Sequence, residues 1–197
     1  MRWAEPVVLE GEHVRVVPIT YEHEPDLREA VSDGELWNLW YTSIPTVDRM
    51  KDAIERRLAL QREGSMVAFS IFSQKTGRAI GMTTYLNIEA EHRRLEIGAT
   101  WYCRSAQRTP ANTECKRLML AHAFERLSCI AVEFRTSFNN LQSRKAIERL
   151  GAKLDGVLRS HRIAQDDVLR DTCVYSIVAH EWPAVRTHLD WQLKKPR

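Results

Sequence analysis

Apolar and polar positions first alternate over His13 to Pro18 (HVRVVP), the two-residue period of a strand with one buried face. The polar stretch Tyr21 to Asp33 then reads as a helix, and a second, amphipathic helix carries Met50, Ile54 and Leu58 at i, i+4 and i+8. Strands are predicted near Val67 to Phe72 and Ala79 to Asn87, joined as a hairpin through Gln74, Lys75, Thr76 and Gly77. Leu95 to Tyr102 is the cleanest strand: Leu95, Ile97, Ala99 and Trp101 point one way, and Glu96, Gly98, Thr100 and Tyr102 the other. Pro110 suits the first position of a helix capped by Thr109, and ANTECKRLMLAHAFERL continues it with Leu118, Leu120, Phe124 and Leu127 on a wide apolar surface. Ile130, Val132 and Phe134 alternate as a strand that opens through SFNN into the helix LQSRKAIERL, stopped by Gly151. Two strands, near Gly156 to Ile163 and Leu169 to Val178, flank the turn AQDD, and the closing LKKPR reads as a frayed basic tail. Strand, helix, strand in the middle and a hairpin at the end make a mixed α/β chain.

Length adds that the 197 residues form one domain, with 181–197 as a carboxyl-terminal extension. At 44% hydrophobic and 28% charged, the composition is that of an ordinary globular protein. No apolar run approaches the about 18 residues of a membrane helix, and MRWAEPVVLE carries an acid where a signal peptide needs an apolar run, so a soluble, cytoplasmic protein is expected. A net charge of +3 is too small to argue for nucleic acid, and neither nucleic acid nor membrane is expected as a partner. Cys103, Cys115, Cys129 and Cys173 form no C-x-x-C pair, which leaves no zinc or thioredoxin-like motif and predicts buried free thiols. The eight glycines never stand two apart, which excludes a G-x-G-x-x-G fingerprint, a Walker loop and a G-x-S-x-G elbow.

From Leu95 onward LEIGATWY, QRTPANTECKRLMLAHAFE and NLQSRKAIERLGAKLDGVLR follow in the order and spacing of a known family. The chain resembles the GNAT superfamily of acyl-CoA-dependent N-acyltransferases, in the branch of the Rim-type ribosomal-protein N-terminal acetyltransferases, and flanking elements agree over nearly its whole length. The resemblance implies a splayed central sheet flanked by helices, acetyl-CoA as co-substrate, no metal, an amine acceptor and, by analogy, a homodimer. It implies that backbone groups near Trp101 and Tyr102 pair with pantetheine amides where the central strand and the strand Ile130 to Phe134 splay apart, with Gly98 marking close approach or a bulge. It makes Gln107 to Thr113 the diphosphate loop, with N–H groups from Gln107, Arg108, Thr109, Ala111, Asn112 and Thr113 at a helix start. Pro110 and Asn112 stand where the family pattern Q/R-x-x-G-x-G/A has small residues, so a modified cradle is expected, because proline lacks an N–H. Asn140 and Ser143 would face the cofactor from the second helix start, with Arg144 and Lys145 near its 3′-phosphate or adenosine.

Transfer from a thioester to an amine needs a neutral amine, a stabilised oxyanion and a proton for the departing thiolate. The acid tyrosine of many family members, seven residues after the asparagine, falls here on Ile147, and the serine of the Rim branch falls on Ser143, which is therefore the expected acid. Glu96 is the expected base, acting directly or through water; its competing role is a surface-facing or salt-bridged glutamate paired with Arg93 or Arg94. Glu133 and His161 are weaker candidates, and a covalent route through Cys115 or Cys103 is disfavoured. Trp37, Trp40, Tyr41, His161, Asp171 and Tyr175 are candidates to line the acceptor pocket, against the plainer role of core side chains. An α-amino group has a pKa of about 7.7 to 8.0 and lysine about 10.4, so weak evidence for a strong base favours a protein or peptide N-terminus, or another weakly basic amine, over lysine. The competing readings are a small-molecule amine acetyltransferase and a non-catalytic CoA-binding module, the latter suggested by the altered loop and absent tyrosine.

Overall fold

One parallel pair interrupts an otherwise antiparallel sheet. β1 (Leu9–Glu10), β2 (Val14–Pro18), β3 (Met66–Ser73), β4 (Ala79–Glu89), β5 (Arg94–Tyr102), β6 (Ala131–Ser137), β7 (Lys153–Ile163) and β8 (Leu169–Val178) form a single eight-stranded sheet. Its order is β1-β2-β3-β4-β5-β6-β8-β7, and among the described residues only β5 and β6 run parallel. The computed structural model describes residues 3–164 and 167–195. Gln165 and Asp166 of the expected AQDD turn, Pro196 and Arg197 of the tail, and Met1 and Arg2 lie outside the described residues.

Helices cover the two faces unequally. α1 (Glu24–Ser32) and α2 (Met50–Glu63) bury Leu27, Val31, Met50 and Ile54 against Ala68, Met82 and Trp101. α3 (Ala111–Ala121), α4 (Leu141–Glu148) and α5 (Trp182–Lys194) cover the opposite face, where Phe69, Tyr85, Leu95, Ile97, Phe134 and Tyr175 form the larger core. A strand sandwiched between both layers must be apolar on both faces, which is why β3 is buried from Val67 through Ile71.

Two sequence expectations are corrected. The alternation of β5 breaks at Ala99, whose φ of 47° lies in the left-handed region. Met82 pairs with Trp101 and Thr84 with Gly98, so β5 carries one residue more than β4 over this step, a bulge. Beyond it the faces exchange: Leu95 and Ile97 share the α3 core with Tyr102, while Trp101 turns into the α1–α2 core. Glu96 and Tyr102 therefore lie on opposite faces. The expected tail is instead α5, which buries Trp182, Val185 and Leu189 and ties Asp190 to Arg117 of α3 at 2.9 Å. Among the described residues no helix is long and apolar enough to cross a membrane.

Candidate active site

β5 and β6 pair only at Arg94 with Ala131, Leu95 with Val132 and Glu96 with Glu133, and then diverge. A wedge opens beyond Glu96, one side formed by Ile97 to Tyr102 over about 20 Å of strand at the usual rise. Its closed end carries charge and its open end the start of α3. Buried polar atoms without a hydrogen-bond partner among the described residues, Trp101 Nε1 and Ser137 Oγ, sit on the two strands that border it.

At the open end a turn at Arg104–Ala106 leads to Arg108, whose φ of 60° reverses the chain into Pro110 and α3. Thr109 Oγ1 donates to Ala106 O at 2.7 Å and accepts Ala111 N–H at 3.3 Å. Gln107 N–H is spent on Arg104 O at 3.1 Å, and the first α3 amide bonded to a carbonyl is Glu114, on Pro110 O at 2.9 Å. The expected cradle of six N–H groups is thus reduced: those of Arg108, Thr109, Asn112 and Thr113 lack an acceptor among the described residues. Four outward N–H groups at the positive end of a helix suit a diphosphate. The Gln107 side chain braces the loop, donating to Tyr102 O at 3.1 Å and accepting from Gln142 of α4 at 3.3 Å. The Pro110→Ala variant restores a fifth N–H: CoA should bind several-fold tighter, by about 1 kcal/mol, as read by calorimetry. Unchanged or weaker binding would show that the amide of residue 110 does not face the anion.

α4 is short, and only Ile147 of it is buried, so its ends must be capped. Asn140 Oδ1 accepts Ser143 N–H at 3.0 Å, and Gly151, with φ of 100°, closes the other end. The half-buried Ser143 hydroxyl has no partner among the described residues. Arg144 is committed to the protein: Nε donates to Tyr175 Oη at 3.1 Å, Nη1 donates to Phe138 O at 3.3 Å, and the guanidinium stacks on the Phe138 ring. Tyr175 in turn donates to Glu148 Oε1 at 2.8 Å. It is fully buried on the α4 face, so it belongs to the core and not to an acceptor pocket. Lys145 is exposed on α4.

At the closed end Glu96 is 6% exposed. Asn87 Nδ2 donates to its Oε2 at 2.8 Å, and Arg135 Nε stands 3.6 Å away. Arg94 pairs with Glu133 instead, which also accepts from Arg135 Nη2 at 2.8 Å. Glu96 is thus buried and salt-bridged, but to Arg135 and not to Arg93 or Arg94. Burial pushes its carboxyl above the ordinary range, partly opposed by Arg135 and the Asn87 hydrogen bond. Its carboxylate folds over Gly98, where an added Cβ would stand 2.6 Å from Oε1 and displace it. Glu96, Glu133 and Arg135 face the side of α1 and α2, where β6, β8 and β7 leave an open groove lined by Arg94, Glu133, Arg135, Asp155, Leu158 and Ser176.

The other acceptor candidates divide. His161 shares this groove face through Thr172 Oγ1, 3.0 Å from its Nδ1, and the neighbouring Asp171 accepts Ser160 N–H at 2.7 Å. Trp37 packs on the α1–α2 core, while the exposed Trp40 meets Tyr41 edge-on at 5.7 Å between ring centroids. All four cysteines are free and buried, and burial raises the Cys115 thiol, which removes it as a thiolate nucleophile.

Sequence reasoning misses two buried charges on α3. The Glu114 carboxylate accepts three N–H groups from the β1–β2 connection, and the Lys116 ammonium reaches Thr83 and Thr100 under the β5 bulge. Both are detectable, since they fall three or four residues from Ala111, Leu118 and Leu120 within the apolar stripe.

A sheet parted at its one parallel pair, with a helix start bearing free N–H groups above the gap, is the frame of an acyl-CoA-dependent N-acyltransferase. The model of the acetyltransferase (GNAT) domain family matches residues 13–153, and the chain belongs to that family. An acetyltransferase from T. thermophilus, known from its crystal structure, is 35% identical over 97% of this chain and 99% of its own, with a TM-score of 0.84. RimJ from Mycobacterium smegmatis, solved with CoA-disulfide, shares the fold at 19% identity, covering 95% of each chain with a TM-score of 0.80. RimL, the ribosomal L7/L12 α-N-protein acetyltransferase, shares it at 17% identity over 89% of this chain and 96% of its own, with a TM-score of 0.77. No curated protein matches the chain. The chain is a GNAT N-acetyltransferase, of a family that draws its acyl group from acyl-CoA.

Proposed function

We propose that this protein transfers the acetyl group of acetyl-CoA to a weakly basic primary amine, a protein or peptide N-terminus, by direct attack in a ternary complex. The observation that carries this reading is the pairing of β5 and β6 that stops at Glu96, leaving a strand edge between a free-amide cradle and a buried carboxylate. Bound acetyl-CoA supplies an acyl group already activated as a thioester. The N–H groups of Arg108, Thr109, Asn112 and Thr113 hold its diphosphate, and the β5 edge from Trp101 and Tyr102 toward the bulge pairs with the pantetheine amides. An amide turned outward at the bulge donates to the carbonyl oxygen as negative charge develops there. Glu96, with its raised proton affinity, takes the proton of the attacking amine directly or through water.

Ser143 relays a proton to the departing thiolate, giving its hydroxyl proton as it takes one from solvent water. A thiolate needs only modest acid help, its pKa being about 8.5. Ser143→Ala should therefore lower kcat about 10-fold while CoA affinity stays within about twofold. Equal loss of both would make Ser143 a binding residue. The open groove beside Glu133 suits a chain end better than an enclosed small amine, and the shared fold with RimL and RimJ points the same way. Thiol release from acetyl-CoA, measured over a panel of N-terminal peptides, lysine side chains and small amines, tests the proposal. Turnover confined to small amines would replace the acceptor class, and CoA binding without thiol release for any amine would leave a non-catalytic module.

A further inference from the structure

Acyl transfer as described leaves the ammonium of Lys116 without a task. The residue is 5% exposed, and Nζ donates to Thr100 Oγ1 at 2.7 Å and Thr83 Oγ1 at 3.2 Å. Among the described residues no carboxylate pairs with it, and burial holds its pKa down to about 8. Two hydroxyls do not compensate the desolvation of a cation, so Lys116 costs stability. What it grips is the bulge. Thr100 follows Ala99, and its hydroxyl lies 3.3 Å from Gly98 O, which also accepts Thr84 Oγ1 at 2.8 Å from the other face of the sheet.

Donor inventory gives this cluster a direction. The Thr83 and Thr100 hydroxyls stand 2.8 Å apart and can donate either way between themselves. An ammonium has only donors, so both threonine oxygens must accept from Lys116. With one Thr100 lone pair taken by Lys116 and the other by the Thr83 hydroxyl at 2.8 Å, the Thr100 proton goes to Gly98 O at 3.3 Å. The carbonyl of the bulge is thereby held by hydroxyls from above and below.

We propose that Lys116 is a positioning residue of the transfer site, which orients Thr100 and through it clamps the bulge at Ala99 and Thr100, two residues left without a register partner on β4, in place at the edge of the wedge. This rests on the acetyltransferase reading, and its test has a readout independent of turnover. In Lys116→Met the amides of residues 98–101 should exchange hydrogen faster, by about 10-fold, while α3 amides do not. The same variant should melt several degrees higher, because a buried cation gives way to an apolar chain of similar length. Its kcat with the best peptide amine should fall about 10-fold or more, with CoA affinity within about threefold. Thr100→Val should show the same kcat loss, and the double variant should be no worse than either single one.

Unchanged bulge exchange in Lys116→Met overturns the clamp whatever the turnover. Wild-type kcat in Lys116→Met or Thr100→Val removes it from the reaction, and a parallel loss of CoA affinity assigns Lys116 to holding the cofactor. Should Lys116→Met fail to fold, Thr100→Val decides alone, wild-type exchange and kcat overturning the proposal. Absence of thiol release by the wild type defeats the acetyltransferase reading and leaves the exchange result standing on its own.

Discussion

Glu96→Gln is expected to lower kcat/KM by about 10²- to 10³-fold while CoA affinity is unchanged, because the amide keeps the shape of the side chain and loses its proton affinity. The wild type should lose activity as pH falls through the Glu96 pKa, which burial lifts above the ordinary glutamate value of about 4.3. The variant should lack that acid limb and follow only the ionisation of the acceptor amine. Stability runs the opposite way. A carboxyl that binds its proton more tightly when folded contributes a cost above its folded pKa, and this cost fades as pH falls through that value toward the unfolded one. Denaturation of Glu96→Gln at neutral pH should show equal or greater stability than the wild type. An acid limb that persists unchanged in the variant would remove Glu96 from the mechanism.

Glu114→Ala should cost about 3 to 5 kcal/mol of folding stability, the largest loss expected from one substitution outside the wedge. Its carboxylate accepts Glu12 N–H at 2.9 Å, His13 N–H at 2.7 Å and Val14 N–H at 2.8 Å, so one side chain satisfies the backbone where β1 turns into β2. Gly11 is required beside it, since a Cβ there would lie 2.4 Å from Glu114 Cδ. Truncation strands three donors, that of Val14 fully buried, and unties the first strands from α3. Urea denaturation measures the loss. Glu114→Gln, which keeps one acceptor oxygen, should fall between the two, and a loss below about 1 kcal/mol for the alanine variant would show that water serves these amides equally well.

Period-2 and helical patterns are enough to place every strand of four residues or more; all but β7 bury a face, and the largely exposed β7 is placed by the turn that pairs it with β8. They fail where a single residue changes the count. Gly98 signals close approach or a bulge, but Ala99 carries no signature of a left-handed φ, so the exchange of faces between Ile97 and Trp101 is invisible to alternation. The same exchange separates Glu96 from Tyr102. α5 reads as a tail because Pro183 and the closing basic run hide Trp182, Val185 and Leu189, whose partners lie far away in sequence, Phe124 and Glu125 after α3 for Trp182 and Gly151 after α4 for Val185. The cradle is legible as a helix start, but not which amides it has already spent: Gln107 and Ala111 are consumed by the turn before Pro110. Tyr175 looks available from its residue type alone, whereas Arg144 and Glu148 hold it in the core.

A crystal structure with acetyl-CoA bound most directly tests the wedge. The account predicts the diphosphate on the amides of Arg108, Thr109, Asn112 and Thr113, pantetheine along Ile97 to Tyr102, and the thioester carbonyl beside the Ala99 bulge, near Glu96. Cofactor bound elsewhere, with the gap between β5 and β6 filled by side chains, would contradict it.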